Sequence, residues 1–413
     1  MKRAVFVGGG AAGFFGGIAF AAKSPGAEAI ILEKGPQFLQ KVRISGGGRC
    51  NVTHALFEPR EFARRYPRGE RELIGLLQRF QPRDTVQWFE DRGVSLKIEP
   101  DGRMFPVTDS SQTIIDCLLH EAQKLRVSLR ANASVESIET HNAGFQLRLM
   151  GGQTLDADAV MLATGGARTP ALGALAVGLG HTLVEPVPSL FTLQIESGWL
   201  RNLAGVSVAD AQISTTIGPL KERGAILVTH WGLSGPAVLR LSAWGARPLH
   251  QVDYKFPVTI NWLPAMAEEK IRNELMDRAK KQPAKFVVNW PLAPLPARLW
   301  EALVVEAAGI SRVKRWTDLG RAGVHTLVQT LIRCEFQVNG KSLNKDEFVT
   351  CGGVKLSEVN LKAMESRIRP GLFFAGECLD IDGITGGFNF QAAWTTGWVA
   401  GNAMAEKLQT IHD

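Results

Sequence analysis

Cysteine is scarce in this chain of 413 residues, and the little there is does not pair up. The five cysteines, Cys50, Cys117, Cys334, Cys351 and Cys378, are odd in number and show no C-x-x-C spacing. That argues against a disulfide framework, a zinc knuckle and a thioredoxin-type relay; reduced thiols and no metal site are expected. Long apolar runs are missing too: beyond the amino-terminal stretch nothing approaches the ~20 residues of a membrane span. Internal repeats and low-complexity tracts are absent. What remains is a chain with 45% apolar residues, enough for the cores of two or three domains.

The amino-terminal stretch needs weighing first. Ala4 to Ala22 is a run of 19 uncharged residues behind Lys2 and Arg3, and its Ala19-Phe20-Ala21-Ala22 imitates a signal-peptidase site. Six of the 19 residues are glycine, which lowers both helix propensity and hydrophobicity. The order strand (Ala4 to Val7), glycine turn (GGGAAG at 8–13), small-residue helix, strand (Ala29 to Leu32) and acid (Glu33) is the pattern of a dinucleotide-binding unit. In it Gly8 permits the tight turn, Gly10 lets the backbone approach a pyrophosphate, and Gly13 lets helix and strand pack closely. Free N–H groups at the helix start face phosphates, and Glu33 can accept hydrogen bonds from an adenosine ribose. With no believable signal or anchor, the cytoplasm is expected.

Further along, Lys34 to Asn51 reads as a structured loop whose Ser45-Gly46-Gly47-Gly48 lets backbone approach a flat or charged ligand. Helical spacing marks Phe62 to Val94, divided at Pro82, and Gln112 to Leu125. Four strand-like pieces between Val127 and Ala163 suggest a small meander returning to a parallel sheet, ending in Thr164-Gly165-Gly166. From about Leu190 short β-type runs predominate, with Thr229-His230-Trp231 among them; Met266 to Lys281, Ala297 to Ala308 and Gly323 to Ile332 read as helices. The last segment supplies an apolar strand, Leu372 to Ala375, then Gly376-Glu377, Gly386-Gly387 and a helix to about Leu408.

The net charge of +7 is unevenly placed. Lys34 to Arg71 holds nine Lys/Arg against three Asp/Glu, and Glu268 to Lys345 fourteen against eight, so the remainder sums to −5. Such segregation suits a polyanion, and equally a cofactor pyrophosphate plus a solvated helix surface.

Four motifs, GGGAAG at 8–13, SGGGRCN at 45–51, THWGLSGPA at 229–237 and GGFNFQAAWTTGWVAG at 386–401, resemble those of the bacterial flavoproteins often called the YhiN family, related to the glutathione-reductase superfamily. The likeness covers essentially the full length. It implies an α/β fold: a Rossmann-like FAD-binding domain built from both chain ends (1–189 and 346–413), an inserted β-rich domain (190–264) and a small helical domain (265–345). It also implies FAD contacts at Gly8, Gly10, Gly13, Glu33, Lys34, Lys41, Ser45, Gly46, Gly47 and Asn51, with Val135 near the adenine. Thr164, Gly165, Gly376, Glu377, Gly387, Asn389 and Gln391 complete the implied site. Where many of the wider superfamily have Asp, this chain has Glu377, which keeps the acceptor at a longer reach.

By the same resemblance, members look like reductases of a carbon–carbon double bond conjugated to a carbonyl. One branch makes dihydrouridine in large-subunit ribosomal RNA and another reduces dehydro bile acids. The two basic segments, 34–71 and 268–345, tilt the expectation toward ribosomal RNA, with Trp231, Phe388 or Trp394 as a π surface for an unstacked base. A small enone reductase and a non-catalytic RNA-binding flavoprotein are the alternatives. No second strand–GxGxxG–helix unit exists for a nicotinamide nucleotide, so NAD(P)H is expected as a transient reductant. Cys50 and His230 are candidate proton donors, each with a purely structural role as its competitor. No membrane partner is expected, and the sequence carries no sign of an oligomeric state.

Overall fold

The structure, a computed structural model, describes residues 1–142, 144–166, 170–342 and 349–410. The chain divides into two compact units, one of Met1–Pro188 with Lys345–Asp413, the other of Ser189–Asn344.

In the first unit, β1 (Arg3–Val7) and β2 (Glu28–Leu32) lie side by side, Val5 opposite Ile30. Ala159–Leu162 flanks β1 on its other side, with Val5 opposite Val160, and is followed by Leu372–Phe374; Ser128–Arg130 lies beyond β2. All five strands are parallel. Apart from the short outer strand Ser128–Arg130, their residues are nearly all buried, which is why they read as unbroken apolar runs rather than as alternation. Two short antiparallel strands, Glu365–Ser366 and Val359–Asn360, finish one edge. The expected meander is Val135–His141, Gly144–Leu149 and Thr154–Ala157, which delivers the chain to Ala159–Leu162.

Helix α1 (Ala11–Lys23) joins β1 to β2, and the helix Phe388–Thr410 lies against it. The two backbones approach so closely that a Cβ on Gly401 would sit 2.2 Å from Gly16 O, and one on Gly397 would sit 2.5 Å from Ala12 O. Small residues at four-residue spacing on both helices, Ala12 and Gly16 against Gly397 and Gly401, permit this approach.

The second unit is built on a seven-stranded antiparallel sheet. Its strand pairs include Ser207–Thr215 with Leu220–Val228 and with Phe256–Asn261. The expected β-rich (190–264) and helical (265–345) segments fall almost wholly within 189–344, which forms one compact unit. Within that span Cys334–Val338 pairs with Phe256–Asn261, and Gly340–Ser342 pairs with Thr192–Gln194. Only Asn339 separates these two strands, so both edges of the sheet belong to one run of chain and the sheet closes on itself. The helices Glu268–Lys281 and Trp316–Ile332 pack together, with Trp262, Trp300 and Trp316 fully buried in the same unit. No helix among the described residues is long and apolar enough to cross a membrane.

The helix contact yields a test. Gly401→Leu should destabilise the protein by roughly 1–3 kcal/mol, the usual cost of overpacking, and lower its midpoint of thermal unfolding. Gly26→Ala, at an exposed position where a Cβ meets nothing within 4 Å, is the control and should leave thermal unfolding unchanged.

Candidate functional site

The site begins where β1 ends. Gly8 has φ +120° and donates its N–H to Leu32 O at 2.8 Å; a Cβ here would lie 2.2 Å from Ala163 O. Gly13 is needed one turn later, because its Cβ would lie 1.9 Å from Gly8 O. Gly10 differs: a Cβ there meets nothing within 4 Å, so its backbone faces open space. Helix α1 starts at this point with no side-chain cap and no acid in its first turn. Its free N–H groups are therefore available to an anion. The Glu33 carboxylate accepts the N–H of Gly9 at 2.9 Å and of Gly35 at 2.8 Å, which pins the glycine turn to the end of β2. A carboxylate has about four lone-pair directions, so two remain for ribose hydroxyls. Lys34 is exposed beside it. Val135 follows Asn132 and Ala133, which donate to Gly35 O and Glu33 O at 3.0 and 2.8 Å and so tie the start of its strand to the segment after β2.

Residues 34–51 depart from the expected loop: Gln40–Gly48 is a helix that breaks at its end. Ser45 is extended (ψ 147°), and Gly46, Gly47 and Gly48 have φ of 58°, 69° and 83°. Gly47 and Gly48 are exposed, with empty space where a Cβ would be. Lys41 forms an ion pair with Glu377, whose other oxygen accepts the Thr350 N–H at 2.9 Å. The Glu377 carboxylate also lies 2.7 Å from where a Cβ on Gly166 would be. Thr164 and Gly165 (φ +75°) cross the end of Ala159–Leu162 half-buried, again with open space at Gly165. Gly376 donates to Thr396 Oγ1 at 2.9 Å and leaves no room for a Cβ against Ala12, 2.9 Å away. The Asn51 amide, oriented to satisfy both ends, donates to Thr53 O at 3.0 Å and accepts the Gly387 N–H at 2.9 Å. Direct contacts thus tie together the turns at 8–13, 33–35, 41–51, 163–166, 376–377 and 386–387. Several of them present bare backbone, a cradle that a dinucleotide with a flat ring would fill.

Three candidates are held or enclosed by neighbouring protein groups. Gln391 is fully buried: its Oε1 accepts from Thr53 Oγ1 (2.6 Å) and Thr85 Oγ1 (2.9 Å), and its Nε2 donates to Thr395 Oγ1 (3.1 Å). It supports the wall from behind. Asn389 closes the turn at Gly383, bonding its N–H at 2.8 Å and its carbonyl at 2.9 Å. Cys50 is the correction that matters for chemistry. It is fully buried at φ +62°, and burial pushes its thiol up to about 12, so it neither faces the cradle nor gives up a proton readily. His230 lies on an exposed turn of the second unit. Of the three aromatics considered for stacking, Phe388 and Trp394 are buried and only Trp231 is exposed.

Other residues carry the site without a signal in the sequence. Asp382, fully buried, holds Arg68 through two contacts, one of them Nε to Oδ1 at 2.5 Å. The Tyr66 hydroxyl donates to Phe388 O at 2.5 Å, and His54 stacks on Phe388 with centroids 4.9 Å apart. These contacts clamp the 380–388 segment onto 53–68, and only spatial proximity reveals them.

The basic segments are partly used internally. Lys41, Arg49, Arg64 and Arg68 pair with acids, as do Arg272, Arg278, Lys280 and Arg312. Lys34, Arg60, Arg65 and Arg71 have no acidic partner among the described residues.

This ring of glycine turns agrees with what known proteins share with the chain: the family described as HI0933-like protein Rossmann domain matches residues 2–403. The chain belongs to that family. The likeness read from the four motifs is thereby borne out, and the chain is a Rossmann-type flavin oxidoreductase. It is 31% identical over 423 residues to a 3-dehydro-bile acid delta(4,6)-reductase of Clostridium scindens, covering 98% of this chain and 100% of that one. It is 32% identical over 404 residues to a ribosomal RNA dihydrouridine synthase of Escherichia coli, covering 96% of each. Among solved structures, a 3-ketosteroid-delta4-(5alpha)-dehydrogenase of Rhodococcus jostii shares the fold, with a TM-score of 0.51 at 15% identity over 98% of this chain and 97% of that one.

The burial of Cys50 is checked in two ways. Cys50→Ala should keep bound FAD and turnover within about twofold, a modest effect of the kind expected when no catalytic group is lost. In the native protein at about pH 8, iodoacetamide should leave Cys50 unlabelled until the chain is unfolded, since the reactive thiolate is not formed. Loss of turnover in the alanine variant, or labelling of the folded protein, would return the thiol to the chemistry.

Proposed function

We propose that the chain is an FAD-dependent reductase of a carbon–carbon double bond conjugated to a carbonyl, acting on uridine in large-subunit ribosomal RNA to give dihydrouridine, with NAD(P)H as the reductant. The observation that carries it is the pair of relatives at 31% and 32% identity, each matched over almost its whole length. One is named for reducing a dehydro bile acid and the other for making dihydrouridine, and the two reactions are the same addition of hydrogen across an activated double bond. The basic balance of the chain, +7 overall, favours the polyanion of the two substrates.

In this reading the first glycine turn and the start of α1 hold the FAD pyrophosphate, Glu33 holds the adenosine ribose, and Glu377 receives ribityl hydroxyls while Lys41 and the Thr350 N–H keep it in place. When bound and reduced, FAD supplies the hydride. The N-terminal end of Phe388–Thr410, entered through Gly386 and Gly387 at φ of 131° and 93°, would offer a positive dipole end to negative charge developing on a bound flavin ring. NAD(P)H, lacking a nucleotide fold of its own, docks transiently.

The bile-acid relative supports a second reading, reduction of a small enone, and one experiment separates the two. The enzyme's flavin, bleached anaerobically by NADPH in a stopped-flow cell, should be reoxidised by ribosomal RNA lacking the modification and not by a 3-keto-4-ene steroid. Ribosomal RNA from a deletion strain should correspondingly lose one two-hydrogen mass increment. Reoxidation by the steroid alone, with no change in the RNA, would transfer the assignment to the second reading.

A further inference from the structure

The second unit presents an indole that its own packing does not use. Trp231 is 67% exposed, the most exposed of the chain's ten tryptophans. Exposed aromatics on loose loops are common, but this turn is held from several sides. Thr229 N–H donates to Gly232 O at 2.8 Å, Thr229 Oγ1 donates to the same oxygen at 3.2 Å and accepts the Trp231 N–H at 3.3 Å, and Trp231 O accepts the Ile195 N–H at 2.9 Å. At Gly232 (φ +148°) a Cβ would lie 2.2 Å from Leu193 O, so the strands meet as closely as glycine allows. A rigid backbone thus displays a large π face to solvent, which lowers the entropy lost when something stacks on it.

The same run of chain leads into a cleft. Ile195 lies on the rim of an open cavity of about 770 Å³, also lined by Trp199, Gln329, Arg333, Gln337 and Asn339. Asn339 is tied to that rim, its N–H donating to Gln194 O at 3.0 Å and its Oδ1 accepting the Glu196 N–H at 3.4 Å. Its lining includes a half-buried indole, Trp199, tilted against Phe336 at 5.4 Å. It also includes side-chain amides and the hydroxyls of Thr326 and Thr330. An apolar steroid asks for an enclosed apolar pocket, and this cleft is open and lined with hydrogen-bonding groups. Single-stranded RNA asks for separate stacking platforms, amides for base edges and 2′-hydroxyls, and an arginine for a phosphate. Arg333 shares the lining with Glu196 and Glu335, so stacking and hydrogen bonds rather than net charge must hold a strand there.

We infer that this face of the second unit is a binding site for single-stranded RNA, one base stacking on Trp231 and adjoining nucleotides entering the cleft, where Arg333 meets a phosphate. The inference rests on the RNA reading above and adds where the strand is held. The test is fluorescence anisotropy of a labelled uridine-rich single-stranded RNA titrated with the full-length, FAD-loaded protein, FAD content serving as the check on folding. Trp231→Ala should weaken binding roughly tenfold or more, while Trp231→Phe, which keeps a π face, should stay within about threefold. Arg333→Ala should reduce the slope of log affinity against log salt by about 0.7, the value for one phosphate of a single strand. Wild-type affinity in Trp231→Ala, or no binding by the wild type, overturns the inference. If ribosomal RNA from the deletion strain is unchanged while Trp231→Ala still binds RNA more weakly, the modification reading falls and this binding site stands. Lost dihydrouridine together with full-strength binding by Trp231→Ala removes the site and leaves the reading.

Discussion

The first unit depends on two helices touching backbone to backbone. Gly16 and Ala12 on α1 face Gly401 and Gly397 on the helix Phe388–Thr410 at distances that exclude any side chain. The contact joins segments almost 400 residues apart in sequence, so α1 and Phe388–Thr410 form a single structural element. A pair of larger residues would separate the axes, and packed interiors respond to such a shift by moving whole elements rather than by local yielding. The turn before α1 and the turn before the C-terminal helix would then separate as well. Those two turns, 8–13 and 386–387, are the ends of the cradle. The close approach therefore sets how far apart those two turns lie.

Behind the cradle a buried polar network fixes what the helices position. Gln391, Thr53, Thr85 and Thr395 bond one another with the amide of Gln391 at the centre, and Thr395 passes the chain on to Phe80 O at 2.8 Å. Asn51 links the network's edge to Gly387, and Trp394 Nε1 donates to Val52 O at 2.9 Å. Fully satisfied networks of this kind specify one arrangement, since any other leaves a buried polar group unpaired. The glycines supply permissive backbone and the threonine–glutamine network keeps it in one conformation.

Much of this was legible in the sequence, and for identifiable reasons. The parallel strands announce themselves because burial on both faces leaves them uniformly apolar, and Gly8, Gly10 and Gly13 because each answers a different steric demand. Cys334–Val338 lies in the span expected as a helical domain, beyond the helix ending at Ile332: five residues of alternating burial are too short to announce a strand there. The break at Ser45 to Gly48 was legible as glycine, but the helix leading into it was not, because its polar residues show no apolar face. Gln391 and Cys50 were placed in the site by motif position, and a motif fixes where the backbone runs without saying which way a side chain turns. Asp382 with Arg68, and Tyr66 with Phe388, leave no pattern at all, since their partners are more than 300 residues away.

The placement of acids and bases has a consequence for how the unit works. Glu33 is occupied by two backbone N–H groups, Glu377 by Lys41 and the Thr350 N–H, Gln391 by three buried hydroxyls, and Cys50 is sealed in with its thiol pushed up to about 12. The carboxylates and the amide hold neighbouring groups in place, and the Cys50 thiol lies far above the operating pH near which a general acid works best. A unit built this way can bind and orient a redox cofactor without choosing a substrate. Choice then falls to groups outside the turns. That division is consistent with relatives of nearly equal identity, one named for a bile acid and the other for ribosomal RNA, each matching this chain from end to end. Hydride delivery needs only that the double bond be held over a ring, whereas telling a nucleobase from a steroid needs a surface shaped for one of them.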